Sequence, residues 1–219
     1  MHSPPQSETI LAASKKIGEA LDWIASKLPG MEVPGDHRHR IAAQLCDLSL
    51  DHAAAIVALI TTGRHSSSFA LVRCQFECLV RGAWLFYRAT DEEIERFVER
   101  DEIRPNMAML IEALEGGPPF EDKLLTYVKK NAWGPMNGYT HGGIHQISRR
   151  LQGDYIEPVF EDEPLLEVLQ FTGTMALYAF GEITAITDRK DLSEEAQAMM
   201  DAGASLVHPA FAAHEQNEA

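Results

Sequence analysis

Residues 66–88 read SSSFALVRCQFECLVRGAWLFYR and repeat their apolar side chains with the period of an α-helix. At about 100° per residue, Arg73, Glu77, Arg81 and Arg88 fall within an arc of about 80°, and apolar side chains cover the rest of the surface. We therefore predict a central, nearly all-apolar helix with one narrow charged face. We call Arg73, Glu77 and Arg81 the charged seam.

The helical period continues on both sides of this segment, and no stretch alternates as a strand would for long enough to compete. Long predicted helices joined by short connections favour an all-α fold, an antiparallel helical bundle of long helices with additional short helices. The predicted helices cover 7–28, 37–62, 66–88, 91–102, 105–115, 120–132, 141–151, 164–188 and 194–207.

Helix-terminating and capping residues support these boundaries. Thr90 and Glu93 have the spacing of a capping box, and Pro164 falls where a first helical turn tolerates proline. Three clusters of Gly, Pro and Asn predict breaks at 29–35, 116–119 and 134–138. With 219 residues we expect one domain with short appendages: an N-terminal helix and linker over 1–36, a bundle core over 37–190, and a C-terminal helix with an acidic tail over 191–219.

The chain is strongly acidic, with 19 Lys and Arg against 33 Asp and Glu and a formal net charge of −14. Such a charge does not attract a phosphate backbone through its overall field, so any nucleic-acid surface must be a local patch. Much of the acidity lies in 151–219, where only Arg189 and Lys190 are basic.

Cysteine usage and the apolar runs indicate a cytoplasmic protein. Cys46, Cys74 and Cys78 are odd in number and lie in apolar helical patterns, which suits reduced thiols better than a disulfide framework. The longest apolar run, 53–60, is much shorter than a membrane span. The first residues lack the basic and apolar regions of a secretory signal, so we expect no membrane association.

The charged seam has two interpretations. It is either a solvent-facing strip of i,i+4 ion pairs or a polar channel inside the bundle, where charges persist only when paired. Glu182 shares an apolar face of the 164–188 helix with Val168, so it needs a partner, and Arg73 or Arg81 is the expected one. His52 lies in the apolar stripe of the 37–62 helix and is predicted to face the core, as a structural residue or as a ligand.

Residues 137–150 read NGYTHGGIHQISRR and indicate a loop followed by a helix. Thr140 is a candidate N-cap, and Gly142 and Gly143 leave the first N–H groups open to an anion. His141, His145 and Arg149 are spaced four apart, so we expect them on one helical face. The alternative is a tight junction with exposed histidines. Two histidines lack a third metal ligand, so we expect no metal.

Several chemistries have no motif in this chain. There is no G-x-x-x-x-G-K-[ST], G-x-G-x-x-G or G-x-S-x-G, which excludes the usual phosphate-loop, dinucleotide and serine-hydrolase signatures. No Glu-x-x-His occurs either, so the ligand pattern of di-iron bundles is missing. We predict no cofactor.

The helical hairpin, the segment SSFALVRCQFECLVRGAWLFYRA and the later YTHGGIHQISRR together resemble an uncharacterised bacterial family related to the HEPN-like (AbiV-like) helical domains, over about residues 40–190. The resemblance implies a small all-α dimer in a toxin–antitoxin or phage-defence setting, where many members are metal-independent ribonucleases. Their catalytic pattern is an arginine, four to six residues and a histidine. No arginine here has a histidine five to seven positions downstream, so no catalytic residue is carried over.

Two functional hypotheses follow. In the first, the protein binds an anionic group, RNA or a nucleotide, at a pocket of Arg73, Arg81, His141, His145 and Arg149, and His141 or His145 could serve as a general base. In the second, the bundle binds a small molecule or metal in its core through His52, Glu77 and Glu182. A scaffold subunit without a ligand is a third alternative. The three tryptophans and many apolar faces also predict a homodimer.

Overall fold

A computed structural model describes residues 6–203, and within that range the chain forms nine α-helices and no β-strand. The predicted all-α fold is confirmed. The long helices begin and end within two residues of their predicted limits. The helices are α1 Glu8–Lys27, α2 His37–Thr61, α3 His65–Tyr87, α4 Asp91–Arg100, α5 Met107–Leu114, α6 Leu124–Thr140, α7 Ile144–Ile147, α8 Asp162–Ile186 and α9 Lys190–Gly203. The predicted end of the last helix at 207 and the rest of the acidic tail lie outside the described residues.

The core lies among α1, α2, α3 and α8, and α2 contacts all three of the others. A tight turn joins α2 to α3, in which the N–H of Arg64 donates to Leu59 O (2.7 Å), so these helices are antiparallel. Gln75 donates to Thr172 O (2.9 Å), and the Trp23 ring lies 5.2 Å from that of Phe180. These contacts place α8 parallel to α1 and α3. The parallel course is possible because α4–α7 first bring the chain back to the start of α3.

Side chains cap several helix starts. Thr90 and Glu93 form the expected capping box at α4. Ser7, Asp36 and Asn106 each accept from a backbone N–H in the first turn of α1, α2 and α5. Local sequence therefore specifies these boundaries.

Helix α6 corrects the predicted break at 134–138. The helix runs from Leu124 to Thr140 with Pro135 inside it. A proline inside a helix costs about 3 kcal/mol, because it removes a backbone hydrogen bond and clashes with the preceding turn. Burial of Val128 and Met136, one on each side of Pro135, against the bundle offsets this cost.

The helix predicted over 141–151 is also wrong. Gly142 adopts a positive φ of 65°, which ends the path of α6, and only the short α7 and a 3-10 turn over 148–150 follow. Thr140 is not an N-cap. It is the last residue of α6, and its hydroxyl donates back to Met136 O (2.9 Å).

Helix α2 is long and apolar enough to cross a membrane by length and composition alone. It packs against α1, α3 and α8, with Ile56 and Ile60 fully buried, as the core helix of a bundle does. Its apolar composition is explained by this position.

Candidate functional site

The charged seam lies at the edge of the bundle. It is neither a fully solvent-facing strip nor a polar channel inside the bundle. Glu77 accepts from Arg73 Nε (2.6 Å) and from Arg81 Nη2 (2.8 Å). The exposed fractions of the side chains are 22% for Arg73, 15% for Glu77 and 43% for Arg81. The i,i+4 pairs therefore form as the spacing indicates, and the Arg73 end is the more enclosed one.

Arg73 connects α3 to the C-terminal half of α6. Its Nη1 donates to Asn137 Oδ1 and lies 3.0 Å from His141 Nε2, and its guanidinium lies 4.8 Å from the centre of the Trp133 ring. Because Arg73 can only donate, His141 accepts at Nε2 and carries its proton on Nδ1. The arginine is thus held in one position by side chains from two helices.

Trp133, Asn137 and His141 are spaced four apart on one face of α6. Trp133 and Asn137 were not predicted as site residues, because the predicted break at 134–138 separated them from His141. Their i,i+4 spacing was the available signal, and it becomes visible only once Pro135 is accepted inside the helix.

The junction after α6 holds the other predicted basic residues. The Arg149 guanidinium lies 5.4 Å from the Phe69 ring centre and 5.5 Å from that of Tyr139, and its Nη1 donates to His145 O. His141, His145 and Arg149 do not share one helical face, because His141 ends α6 and the turn at Gly142 separates it from the other two. The N–H of Gly143, which was predicted to be open to an anion, instead donates to Gly138 O (2.7 Å).

Glu182 does not pair with an arginine of the seam, contrary to prediction. It is 6% exposed and interacts with the Tyr87 hydroxyl, a partner that sequence reasoning missed, and its Oε2 has no hydrogen bond within residues 6–203. Burial raises the pKa of Glu182 to about 7, and the Tyr87 hydrogen bond opposes this shift. Arg73 contacts side chains of α6 and Arg81 contacts Glu77, whereas Glu182 of α8 contacts Tyr87 of α3.

The other inward polar residue, His52, is only half-buried on α2. Within residues 6–203, no hydrogen bond or ion pair joins His52, Glu77 and Glu182 to one another. The same range contains no group of three His, Cys, Asp or Glu side chains that could hold a metal ion. The structure therefore does not assemble the core ligand set of the second hypothesis.

The three cysteines are free, and Cys46 and Cys78 are buried. Burial raises the pKa of the Cys78 thiol to about 11, and burial likewise raises the pKa of Cys46. These two thiols stay protonated at neutral pH and act as core side chains.

The charge around the seam and junction is locally positive. Residues 123–153 contain five Lys and Arg and no acidic side chain, and residues 52–90 contain Glu77 as their one acid. These two segments pack against each other through α3 and α6. We call the exposed or half-exposed side chains of Arg73, His141, His145 and Arg149 the Arg/His patch.

The family model described as "Family of unknown function (DUF6988)" matches residues 46–208. The chain belongs to this family. The DUF6988 match includes most of α2 and all of α3–α9, and so contains the seam and the whole Arg/His patch, whereas α1 precedes it. No curated protein and no solved structure matches this DUF6988 chain significantly.

Proposed function

We propose that the protein binds a phosphate-bearing ligand, RNA or a nucleotide, at the Arg/His patch. The observation that carries the proposal is the fixed pair of guanidinium groups. Arg73 is held against Trp133 and beside His141, and Arg149 is held between the Phe69 and Tyr139 rings. Guanidinium groups that are already ordered lose little side-chain entropy when they bind a phosphate.

The surroundings of the patch support an anionic ligand. No acidic side chain occurs over 123–153, so phosphates approaching α6 and α7 meet only basic and neutral groups from those elements. Arg81 contributes less than the predicted pocket requires, because Glu77 lies between it and Arg73. We therefore place the phosphate on the His141 and Arg149 side of Arg73.

The resemblance to HEPN-like domains favours RNA as the ligand, in a toxin–antitoxin or phage-defence system of the bacterial cytoplasm. Free cysteines are consistent with that compartment. In a catalytic form of the proposal, His145 accepts a ribose hydroxyl proton and Arg73 stabilises the developing phosphate charge, since the acceptor nitrogen of His141 already faces Arg73. A binding protein without catalysis needs only the arginines.

The test is the binding of a fluorescein-labelled single-stranded RNA, followed by anisotropy at increasing salt, with a mononucleotide as competitor. We expect Arg149→Ala to weaken binding about tenfold and to reduce the slope of log affinity against log salt by about 0.7, the loss of one phosphate contact. Gel analysis of the RNA after incubation tests the catalytic form, which His145→Ala should abolish.

Arg189→Ala is the matched control. Arg189 is 43% exposed and pairs with Asp191, outside the Arg/His patch. Its loss should leave both the affinity and the salt slope unchanged. Absence of RNA and nucleotide binding by the unmodified protein at low salt, or equal effects of Arg149→Ala and Arg189→Ala, would show that the patch is not a phosphate site.

A further inference from the structure

A cleft of about 560 Å³ lies between α5 and the first turns of α6, at the opposite end of α6 from the Arg/His patch. Ala108 and Ile111 line it on the α5 side, and Lys123, Lys129 and Lys130 line it on the α6 side. Within residues 6–203, neither Lys129 nor Lys130 forms an ion pair with a carboxylate. Unpaired lysines grouped in this way, in a chain with a net charge of −14, indicate a local site for an anion. We call it the lysine cleft.

Two acidic side chains also line the lysine cleft, and one of them is already satisfied by hydrogen bonds. Glu115 is 4% exposed, and its carboxylate accepts from the N–H of Thr126 (2.9 Å) and from the Thr126 hydroxyl. Lys123 Nζ donates to Glu115 O (2.7 Å), which holds this lysine against the end of α5. Glu112 is exposed on the α5 side. The unpaired positive charges therefore lie along α6, on the other two lysines.

A continuous series of contacts joins the lysine cleft to the Arg/His patch. Lys129 Nζ lies 5.3 Å from the centre of the Trp133 ring, and the Arg73 guanidinium lies 4.8 Å from the centre of the same ring. Arg73 in turn contacts His141. Lys129 is four residues before Trp133, so it extends the row of side chains described above along the same face of α6. Basic and hydrogen-bonding groups thus follow one face of the helix from the cleft to its C-terminal end.

We propose that the ligand is a single-stranded RNA whose backbone runs from the Arg/His patch along α6 into the lysine cleft. We call this path the α6 track, and it depends on the function proposed above, because the Arg/His patch is one of its ends. The rise from Lys129 to His141 is about 18 Å, at about 1.5 Å per residue. Successive phosphates of a stacked strand advance about 3.4 Å, so about six nucleotides span this distance. A basic path of this length fits a strand, whereas a single nucleotide reaches only one of its ends.

The dependence of binding on RNA length tests the α6 track, with labelled single strands of two, four and eight nucleotides and anisotropy at several salt concentrations. The octanucleotide should bind at least about tenfold more tightly than the dinucleotide, because it reaches more basic groups. Replacing Lys129 and Lys130 together by alanine should reduce the salt slope of the octanucleotide by about 1.4, the loss of two phosphate contacts. The same double variant should weaken octanucleotide binding about tenfold more than dinucleotide binding.

The matched control replaces Lys15 and Lys16, two adjacent exposed lysines of α1, by alanine. It removes the same charge and should change neither the affinity nor the salt slope. The α6 track alone is overturned if binding depends on Arg149 but not on RNA length, or if the two double variants have the same effect. Absence of binding at every RNA length overturns the proposed function and the α6 track together.

Discussion

Glu182 shows how burial acts on a single ionisable side chain. It lies on the buried face of α8, near Cys46 of α2, with the Tyr87 hydroxyl as its partner and one oxygen unsatisfied within residues 6–203. Burial disfavours the charged carboxylate, which raises the pKa in the folded state to about 7 from an ordinary value of 4.5. Between about pH 4.5 and pH 7, the folded protein therefore keeps a proton on Glu182 that the unfolded chain releases.

This shift predicts a pH dependence of stability. Because the folded-state pKa is the higher one, the contribution of Glu182 is fully favourable below about pH 4.5 and is lost as pH rises to about 7. The total loss is about 3 kcal/mol. We expect Glu182→Gln to match the unmodified protein near pH 4.5 and to exceed it in free energy of unfolding at pH 8, as measured by urea denaturation.

Glu195→Gln, at an exposed carboxylate paired with Lys27, is the control and should not change this slope. A difference between Glu182→Gln and the unmodified protein that does not vary with pH would mean that burial does not raise the pKa of Glu182.

The two arginines of the charged seam are expected to contribute unequally to the free energy of unfolding. Arg73 is 22% exposed and contacts Glu77, Asn137, His141 and the Trp133 ring, so its loss removes several charge-assisted contacts at once. We expect Arg73→Ala to cost about 2 kcal/mol. Arg81 is 43% exposed and contacts Glu77, and its loss should cost no more than about 1 kcal/mol.

Chemical denaturation of both variants measures this difference. Adding Glu77→Gln to Arg73→Ala should recover part of the lost stability. The Glu77 carboxylate is only 15% exposed and loses its closer partner in Arg73→Ala, and the second change replaces it with a neutral amide. Equal losses for the two arginines, with strictly additive behaviour in the double variant, would mean that the contacts to α6 contribute nothing to stability.

At the scale of helices, the contact between α2 and α3 depends on Gly82. A Cβ at this position would lie 3.0 Å from Cys46 Sγ and 3.1 Å from the backbone oxygen of Ala42. Both distances are shorter than ordinary contacts, and a backbone atom cannot move as a side chain does. Helix α2 therefore approaches α3 closely at this position.

Replacing this glycine tests the packing of the two helices. Gly82→Ala should destabilise the protein by about 1–3 kcal/mol, through overpacking. Gly18→Ala in α1 is the control, because nothing lies within 4 Å of its Cβ position, and it should stabilise by about 0.5–1 kcal/mol. Thermal and denaturant unfolding of both variants provides the comparison, and a neutral Gly82→Ala would show that α2 moves away at little cost.

Helix α6 shows where helix prediction fails. Gly134, Pro135 and Gly138 read locally as a break, yet the helix continues through them. The residues that hold it, Leu125, Val128 and Met136, are buried against other parts of the chain. A local sequence pattern does not contain this packing energy. The alignment of Trp133, Asn137 and His141 therefore could not be predicted, because it depends on the continuity of α6.

Across the whole molecule, charge is distributed very unevenly. The net charge of −14 would repel a phosphate, but the two segments poorest in acids, 52–90 and 123–153, come together where α3 packs on α6. An acidic chain can therefore have a locally basic surface. Helix α8 runs parallel to α3 because α4–α7 carry the chain back across the bundle before α8 begins.

The sequence by itself determined the all-α class, the limits of the long helices, the capping box at Thr90 and the pairing of Glu77 with its neighbouring arginines. These features depend on interactions within about four residues, which periodicity and spacing record. Tertiary structure alone decided the partner of Glu182, the partial exposure of the seam and the continuity of α6. Each of these depends on which helix packs against which face, and that choice is made by long-range burial, which no local spacing encodes.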